Sequence, residues 1–283
     1  MDAVAHSAGA LAVARVGLRT GGTAFAISDR LALTAFHVVG DRTTGTVRHQ
    51  DVQLVFSGGN VVASVDARSD PVGDAALLHL DEPLPSGSVP IVLTDEVRRE
   101  RWFSPGFPVN DPTAAGRTVD GNIVDPDQRH PQSGTTVIAL YCQQAAAGSP
   151  QQLAGFSGAP VLIAEPQAAV GLIRWNPINP SQPGVAAGGT VYACPVRSIL
   201  AQWPELRGLA GTPGEPPAGL GEAEHLKRLI SQYERNLRAT EEQISRYALS
   251  ERPLHLINQL EDIGNELTIL YERLGKDFGR QVT

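Results

Sequence analysis

Short apolar runs separated by Gly, Pro and Asp recur along the first 207 residues of the chain. Examples are TAFAI, VQLVF, AALLHL, VPIVL, TTVIALY and APVLI. Runs of this kind, bounded by turn residues, are typical of β-strands, and their close spacing indicates a sandwich or barrel rather than strands alternating with helices. The pattern therefore predicts a mainly β domain over residues 1–207.

The pattern changes at GLAGTPGEPPAGLG, residues 208–221. The Gly and Pro content of this segment disfavours regular structure, and the pair Pro216 and Pro217 stiffens it locally. We therefore expect a semi-rigid linker here, which separates the β domain from a second region at residues 222–283.

In the second region, apolar residues recur at steps of three and four, which is typical of helices that pack along a seam. One series runs from Leu226 to Tyr247 and the other from Leu256 to Leu274, with the break ALSERP between them. So short a connection predicts an antiparallel helical hairpin. Ile257, Ile269 and Tyr271 are among the apolar residues that fall outside both seams. We therefore expect the hairpin to pack on a further element, which is the β domain, a second copy of the chain or a helical partner protein.

Charge and composition exclude several classes of partner. The net charge of −7 is spread along the chain without a basic block, so neither nucleic acid nor an anionic membrane is an expected partner. The first residues lack the basic start of a secretory signal, and no stretch approaches the roughly 20 apolar residues that span a bilayer. We therefore expect a cytoplasmic protein.

Cys142 and Cys194 are the only cysteines of the chain. Two cysteines are too few for a disulfide framework, and neighbouring metal ligands are missing from the sequence around them. We expect two reduced, buried thiols, and neither a metal nor another cofactor.

Three stretches of the β-rich region carry candidate chemistry. His37 ends an expected strand within the run LTAFHVV, Asp74 leads into AALLHL, and Ser157 lies in GFSGAP. Taken singly, each has an ordinary interpretation as a half-buried histidine, a turn aspartate or a turn serine. Taken together, the order His, Asp, Ser, each beside its own strand, is the order found when a triad is assembled on β-barrels.

With these three motifs the chain resembles the trypsin-like (chymotrypsin-fold) serine peptidases over about residues 10–205. The segments GFP, VGLIRW and TVYACPV stand where that family has comparable segments. The resemblance implies a double β-barrel with Ser157 as nucleophile, His37 as general base and then acid, and Asp74 as the carboxylate that orients the imidazole. It also implies an oxyanion hole formed by the backbone amides of Gly155 and Ser157.

Other positions depart from the digestive members of the family. Phe156 stands where those members carry an aspartate that pairs with a newly cleaved amino terminus. We therefore expect no activation by that route, as in the intracellular bacterial modules that this domain resembles. Gln151 takes the place of the pocket-floor aspartate, and Trp175 and Asn176 flank the same pocket. A neutral amide cannot pair with a basic side chain, so we expect a small or apolar residue before the scissile bond.

The sequence thus predicts a serine endopeptidase with a helical interaction module. An inactive, peptide-binding scaffold is the alternative, whereas an esterase of another fold is disfavoured because GFSGAP lacks the strand–turn–helix context of a nucleophile elbow. The hairpin weakly resembles the adaptor modules of bacterial conflict and antiviral defence proteins. A coiled coil that caps or dimerises the protease is an equal alternative for it.

Overall fold

A computed structural model describes residues 11–18, 21–109, 116–130, 133–147, 153–163, 168–175, 178–179, 182–186 and 189–209, together with positions 230, 237, 260, 263–264, 267–268 and 270–271. The chain separates into two compact units, one of residues 11–215 and one of residues 1–10 with 216–283.

The first barrel is a closed antiparallel sheet of six strands in the order β1-β2-β3-β8-β7-β6. Successive side chains of a strand point to opposite faces, so every second residue faces the interior of the barrel. In β6, buried apolar residues and more exposed residues alternate throughout. Phe25, Leu33, Leu54 and Leu77 fill its centre. The strands are β1 (Val13–Val16), β2 (Thr23–Ala26), β3 (Leu31–Thr34), β6 (Asp51–Phe56), β7 (Gly59–Val65) and β8 (Ala76–Leu80).

The second barrel is also closed and antiparallel, in the order β10-β11-β16-β13-β12-β9. Irregular pairing bends its long strand β10 where it runs beside β11. The strands are β9 (Arg101–Gly106), β10 (Arg117–Arg129), β11 (Thr136–Cys142), β12 (Pro160–Ile163), β13 (Ala168–Trp175) and β16 (Thr190–Pro195).

Short elements surround the two barrels. Two small hairpins are β4 (Gly40–Asp41) with β5 (Thr46–Val47), and β14 (Ile178–Asn179) with β15 (Gln182–Ala186). The helices are α1 (Phe36–Val39), α2 (Gln143–Ala147) and α3 (Val196–Gln202), followed by a 3-10 turn at Pro204–Gly208. Trp203 and Leu206 belong to a core that also contains Phe103 of the second barrel and much of the first. The two barrels therefore share apolar packing, and the prediction of a mainly β, double-barrel domain is confirmed.

Two local expectations differ from the structure. The strand expected to continue through His37 ends at Thr34, since its last pairing is with Ala24, and the chain then forms the single turn α1. Residues 208 and 209, expected to belong to a linker, are instead structured, because Gly208 ends the 3-10 turn and Leu209 packs on the core. The rest of the expected linker, residues 210–221, lies outside the described residues.

Of the carboxy-terminal unit, the structure describes a few helical positions only. Ile230 and Leu237, from the first predicted seam, belong to the same apolar cluster as Ile263, Leu267 and Leu270 from the second. The remainder of the predicted hairpin lies outside the described residues, so the hairpin stays a prediction. No helix in the described part of the chain is long and apolar enough to cross a membrane.

Candidate active site

His37 and Asp74 are joined by hydrogen bonds at the edge of the first barrel. The Nδ1 atom of His37 lies 2.9 Å from Oδ2 and 3.1 Å from Oδ1 of Asp74. The backbone N–H of His37 also donates to Oδ1, at 3.0 Å. The carboxylate of Asp74 is completely buried, whereas the His37 side chain is 33% exposed. One carboxylate thus holds both the ring and the backbone of His37, with part of the ring open to solvent.

Asp74 is presented by a short turn, residues 70–75, which we call the aspartate turn. Antiparallel bridging between Asp70 and Ala75 closes it, with hydrogen bonds of 2.8 and 3.0 Å. Within the turn Asp74 adopts a left-handed conformation, φ 63°, which is uncommon for a residue other than glycine. This conformation costs about 1–2 kcal/mol. Asp70 is thus part of the hydrogen-bonded turn that presents Asp74.

Two guanidinium groups flank the Asp74 carboxylate. Arg42 Nη1 lies 3.6 Å and Arg174 Nε 3.9 Å from Asp74 Oδ2. Neither arginine was predicted from the sequence to belong to the site. The signal for Arg174 is its place in VGLIRW, where a charged residue interrupts an apolar strand. Arg42 has no comparable signal because it follows His37 in a polar turn.

Ser157 lies in a tight loop, residues 153–160, which we call the serine loop. The carbonyl oxygen of Ala154 accepts from Val109 N, and that of Phe156 accepts from Ala159 N, both at 2.9 Å. In a trans peptide the N–H and C=O bonds point in opposite directions, so the N–H groups of Gly155 and Ser157 point away from these two contacts. Among the described residues, no backbone carbonyl accepts from either N–H group.

Two glycines make the serine loop possible. Gly155 has φ 99° and Gly158 has φ 86°, both in the region that favours glycine. A Cβ atom at Gly155 would also overlap the carbonyl oxygen of Phe107, and one at Gly158 would overlap the carbonyl oxygen of Thr23. Glycine is therefore required at positions 155 and 158, both for the backbone conformation and because a neighbouring carbonyl oxygen lies too close for a Cβ atom.

Thr23 of the first barrel connects the serine loop to the strand that leads to His37. Its N–H donates to the carbonyl oxygen of Ser157 at 2.9 Å, and its Oγ1 donates to that of Gly155 at 2.7 Å. Thr34, three residues before His37, donates through Oγ1 to the carbonyl oxygen of Thr23 at 2.7 Å. Within the described part of the chain, no hydrogen bond joins Ser157 Oγ to His37. Such a bond commonly tightens only when substrate binds.

Phe156 anchors the serine loop through apolar packing. Its side chain is 1% exposed and lies in the core of the second barrel with Trp102 and Leu153. A Cβ atom at Gly106 would come within 2.5 Å of the Phe156 ring, so glycine at that position makes room for it. The residue before Ser157 is thus held in an apolar core.

The three predicted substrate-binding residues are described only in part. Gln151 and Asn176 lie outside the described residues. Trp175 ends β13, where its backbone pairs with Tyr192 of β16. Their roles in a specificity pocket stay predictions.

Both cysteines are buried, free thiols, in agreement with the sequence-based expectation. Burial raises the pKa of Cys142, and it raises that of Cys194 to about 12. Thiols with raised pKa values are poor nucleophiles at neutral pH, so neither cysteine is a candidate nucleophile.

Comparison with known proteins agrees with this geometry. A model of the trypsin-like peptidase domain matches residues 22–172, which contain His37, Asp74 and Ser157. Among solved structures, the Rv3671c protease in an inactive form is 18% identical, with a TM-score of 0.52, covering 70% of this chain and 90% of that chain. The protease domain of MamO from Magnetospirillum magneticum, in its apo form, is 18% identical with a TM-score of 0.48, covering 68% and 96%. An inactive Ser343Ala mutant of Rv3671c from M. tuberculosis H37Rv is 16% identical with a TM-score of 0.49, covering 73% and 91%.

No curated protein matches the chain. At 18% identity the match to the Rv3671c protease, with a TM-score of 0.52, shows a shared fold. The family model, by contrast, covers more than half of the chain's 283 residues and all three candidate motifs. The chain therefore belongs to the family of trypsin-like peptidase domains.

Proposed function

We propose that this protein is a serine endopeptidase in which Ser157, His37 and Asp74 act as a catalytic triad. The observation that carries the proposal is the buried Asp74 carboxylate bonded to His37 Nδ1, beside a serine loop that Thr23 ties to the same barrel. An ionised carboxylate only accepts hydrogen bonds, so the proton of a neutral His37 belongs on Nδ1. This leaves Nε2 as the base.

The reaction then follows the chemistry of acyl transfer. Ser157 Oγ attacks the scissile carbonyl carbon while His37 Nε2 takes its proton, and Asp74 stabilises the resulting imidazolium. The oxyanion accepts from the N–H groups of Gly155 and Ser157, each such donor being worth about 2.7–4 kcal/mol. The imidazolium gives its proton to the departing amine as the C–N bond breaks. Water then attacks the carbonyl carbon of the acyl-enzyme while His37 Nε2 takes its proton. The ester bond breaks, the proton passes to Ser157 Oγ, and the new carboxylate product leaves.

A fluorophosphonate probe tests the proposal directly. We expect stoichiometric labelling of the wild-type protein at Ser157, because the probe reacts with a hydroxyl activated by a base. A Ser157→Ala variant should not be labelled. A Ser57→Ala variant, which removes an exposed serine from another glycine-rich turn, should be labelled as wild type. Intact-protein mass spectrometry measures all three. Absence of labelling in the folded wild type would favour the alternative, an inactive peptide-binding scaffold.

The proposal extends to a protein substrate recruited or regulated through the carboxy-terminal helices, by helix-on-helix contact with a partner or a second copy. The apolar cluster of Ile230, Ile263, Leu267 and Leu270 supports helical packing in that region. The preference for a small or apolar residue before the scissile bond rests on Gln151 and Asn176 and belongs to the same proposal. A role in a bacterial defence or conflict system rests on the resemblance of the predicted hairpin to adaptor modules.

A protein that ends at residue 215 tests the separation of these roles, since residues 11–215 form one compact unit. We expect kcat/KM for a short peptide to stay within about threefold of wild type, because residues 11–215 contain both barrels and all three residues of the proposed triad. The full-length variant Leu267→Asp, which breaks the helical cluster, is the matched control. Loss of short-peptide cleavage in the truncated protein but not in this variant would show that the region is an integral part of the catalytic domain.

A further inference from the structure

We infer that Arg174 is a positioning residue that ties the aspartate turn to the second barrel and holds the Asp74 carboxylate behind His37, an inference that rests on the proposed function. Arg174 lies on β13 of the second barrel, and its side chain is only 1% exposed. Arginine is rarely buried unless its charge and donors are matched. The groups around it therefore indicate its role.

The guanidinium of Arg174 joins three segments of the chain. Nη2 donates to the carbonyl oxygen of Val72, in the aspartate turn, at 2.7 Å. Nη1 donates to Thr135 Oγ1, just before β11, at 2.9 Å. Nε lies 3.9 Å from Asp74 Oδ2. A single rigid group of the second barrel thus contacts both the backbone of the aspartate turn and its functional carboxylate.

The third nitrogen of the Arg174 guanidinium, Nε, also indicates an interaction with Asp74. Within the described part of the chain, Nε is buried without a hydrogen-bond partner. At 3.9 Å, Nε is too far from Asp74 Oδ2 for a hydrogen bond, so the two side chains interact through their opposite charges. Because both groups are shielded from water, this attraction is screened much less than one at the surface.

Other charged and titratable groups around Arg174 are Arg42, Asp70 and Cys194. Burial lowers the pKa of Arg174, and neighbouring Asp74 opposes that shift. His130 stands nearby, and burial first and then the charge of Arg174 lower its pKa. Among these groups, within the described residues, only Asp74 lies within 4.0 Å as an ion-pair partner of Arg174.

Arg42 provides a matched comparison. It approaches the same oxygen of Asp74, at 3.6 Å, and donates through Nε to the carbonyl oxygen of Pro71 at 3.3 Å. Its side chain is 32% exposed, however, and it lies in the small hairpin of β4 and β5, which connects two strands of the first barrel, as the aspartate turn does. Loss of Arg42 therefore removes a screened charge without removing a link between the barrels.

The test compares Arg174→Met, Arg174→Lys and Arg42→Gln by kinetics on a short peptide and by NMR of the His37 Nδ1–H proton, whose chemical shift reports the hydrogen bond to Asp74. In Arg174→Met we expect kcat to fall by about 10–100-fold with KM within about threefold, because the turn that orients His37 loses its tether. The Nδ1–H resonance should move upfield or disappear, because the charge-assisted hydrogen bond between His37 and Asp74 is then held less firmly. Arg42→Gln should lower kcat less than Arg174→Met does and leave the Nδ1–H resonance closer to its wild-type position.

Arg174→Lys separates charge from geometry. It keeps the positive charge but loses the fork that reaches Val72 and Thr135 together, so kcat should fall and the Nδ1–H resonance should move as in Arg174→Met. A wild-type kcat and a wild-type resonance in folded Arg174→Met would overturn the inference. If that variant fails to fold by circular dichroism, a wild-type kcat in Arg174→Lys overturns it instead. The Nδ1–H resonance needs no turnover, so an inactive wild-type protein would refute the proposed function while the role of Arg174 is still measured.

Discussion

Replacing Ser157 by alanine is expected to lower kcat for peptide hydrolysis by about 10⁶-fold while leaving the fold intact. The variant removes the nucleophile but leaves the serine loop, whose hydrogen bonds run through backbone atoms and Thr23. His37→Ala is expected to lose a similar factor, because the hydroxyl is a weak nucleophile unless the imidazole takes its proton.

The double variant distinguishes a functional unit from two independent contributions. If the two residues act in one step, Ser157→Ala with His37→Ala should be no slower than either single variant, and all three should retain a small residual rate from binding and the oxyanion donors. Steady-state kinetics at high enzyme concentration measures this, with circular dichroism as the control for folding. Losses that multiply in the double variant would contradict a shared catalytic step.

Asp74→Asn is expected to lower kcat by about 10⁴-fold. An asparagine side chain of the same shape presents an NH₂ group as well as an oxygen to Nδ1 and the backbone N–H of His37. It therefore favours the tautomer with the proton on Nε2, which cannot accept a proton from Ser157. The pH–rate profile measured together with kcat checks this prediction.

Asp70→Asn is the matched control for Asp74→Asn. Asp70 lies in the same turn, where its Oδ1 accepts from Val72 N at 2.9 Å, an interaction that the carbonyl oxygen of asparagine can keep. We expect a change in kcat of less than about tenfold, because the substitution leaves the contacts of His37 in place. A larger loss for Asp70→Asn than for Asp74→Asn would reverse the assignment of the orienting carboxylate.

The three residues of the candidate site could be predicted from the sequence because each lies in a short local pattern. His37 follows an apolar strand, Asp74 precedes one, and the glycines of GFSGAP are required by the backbone of the serine loop itself. Each pattern spans a few residues, so short-range spacing carries the information. The double barrel followed from the recurrence of such strands and from the resemblance that these motifs support.

Details of local geometry were less accessible. His37 lies in the short turn α1 rather than at the end of a strand, because the pairing of β3 with β2 ends at Thr34. The residue at which an apolar run leaves a sheet depends on where its partner strand ends. The residues of the run alone do not indicate that position.

By itself the sequence determined a β-rich region and the order of the three residues of the proposed triad, since strand periodicity and glycine-rich turns are local properties of the chain. Only the tertiary structure decided which groups surround these residues. Thr23 meets Gly155 across 132 residues, and Arg174 meets Val72 across 102. The local runs TAFAI and VGLIRW, which contain Thr23 and Arg174, do not reveal these contacts. Hydrogen bonds between the barrels depend on how two closed sheets pack together, and that packing is decided by the whole fold.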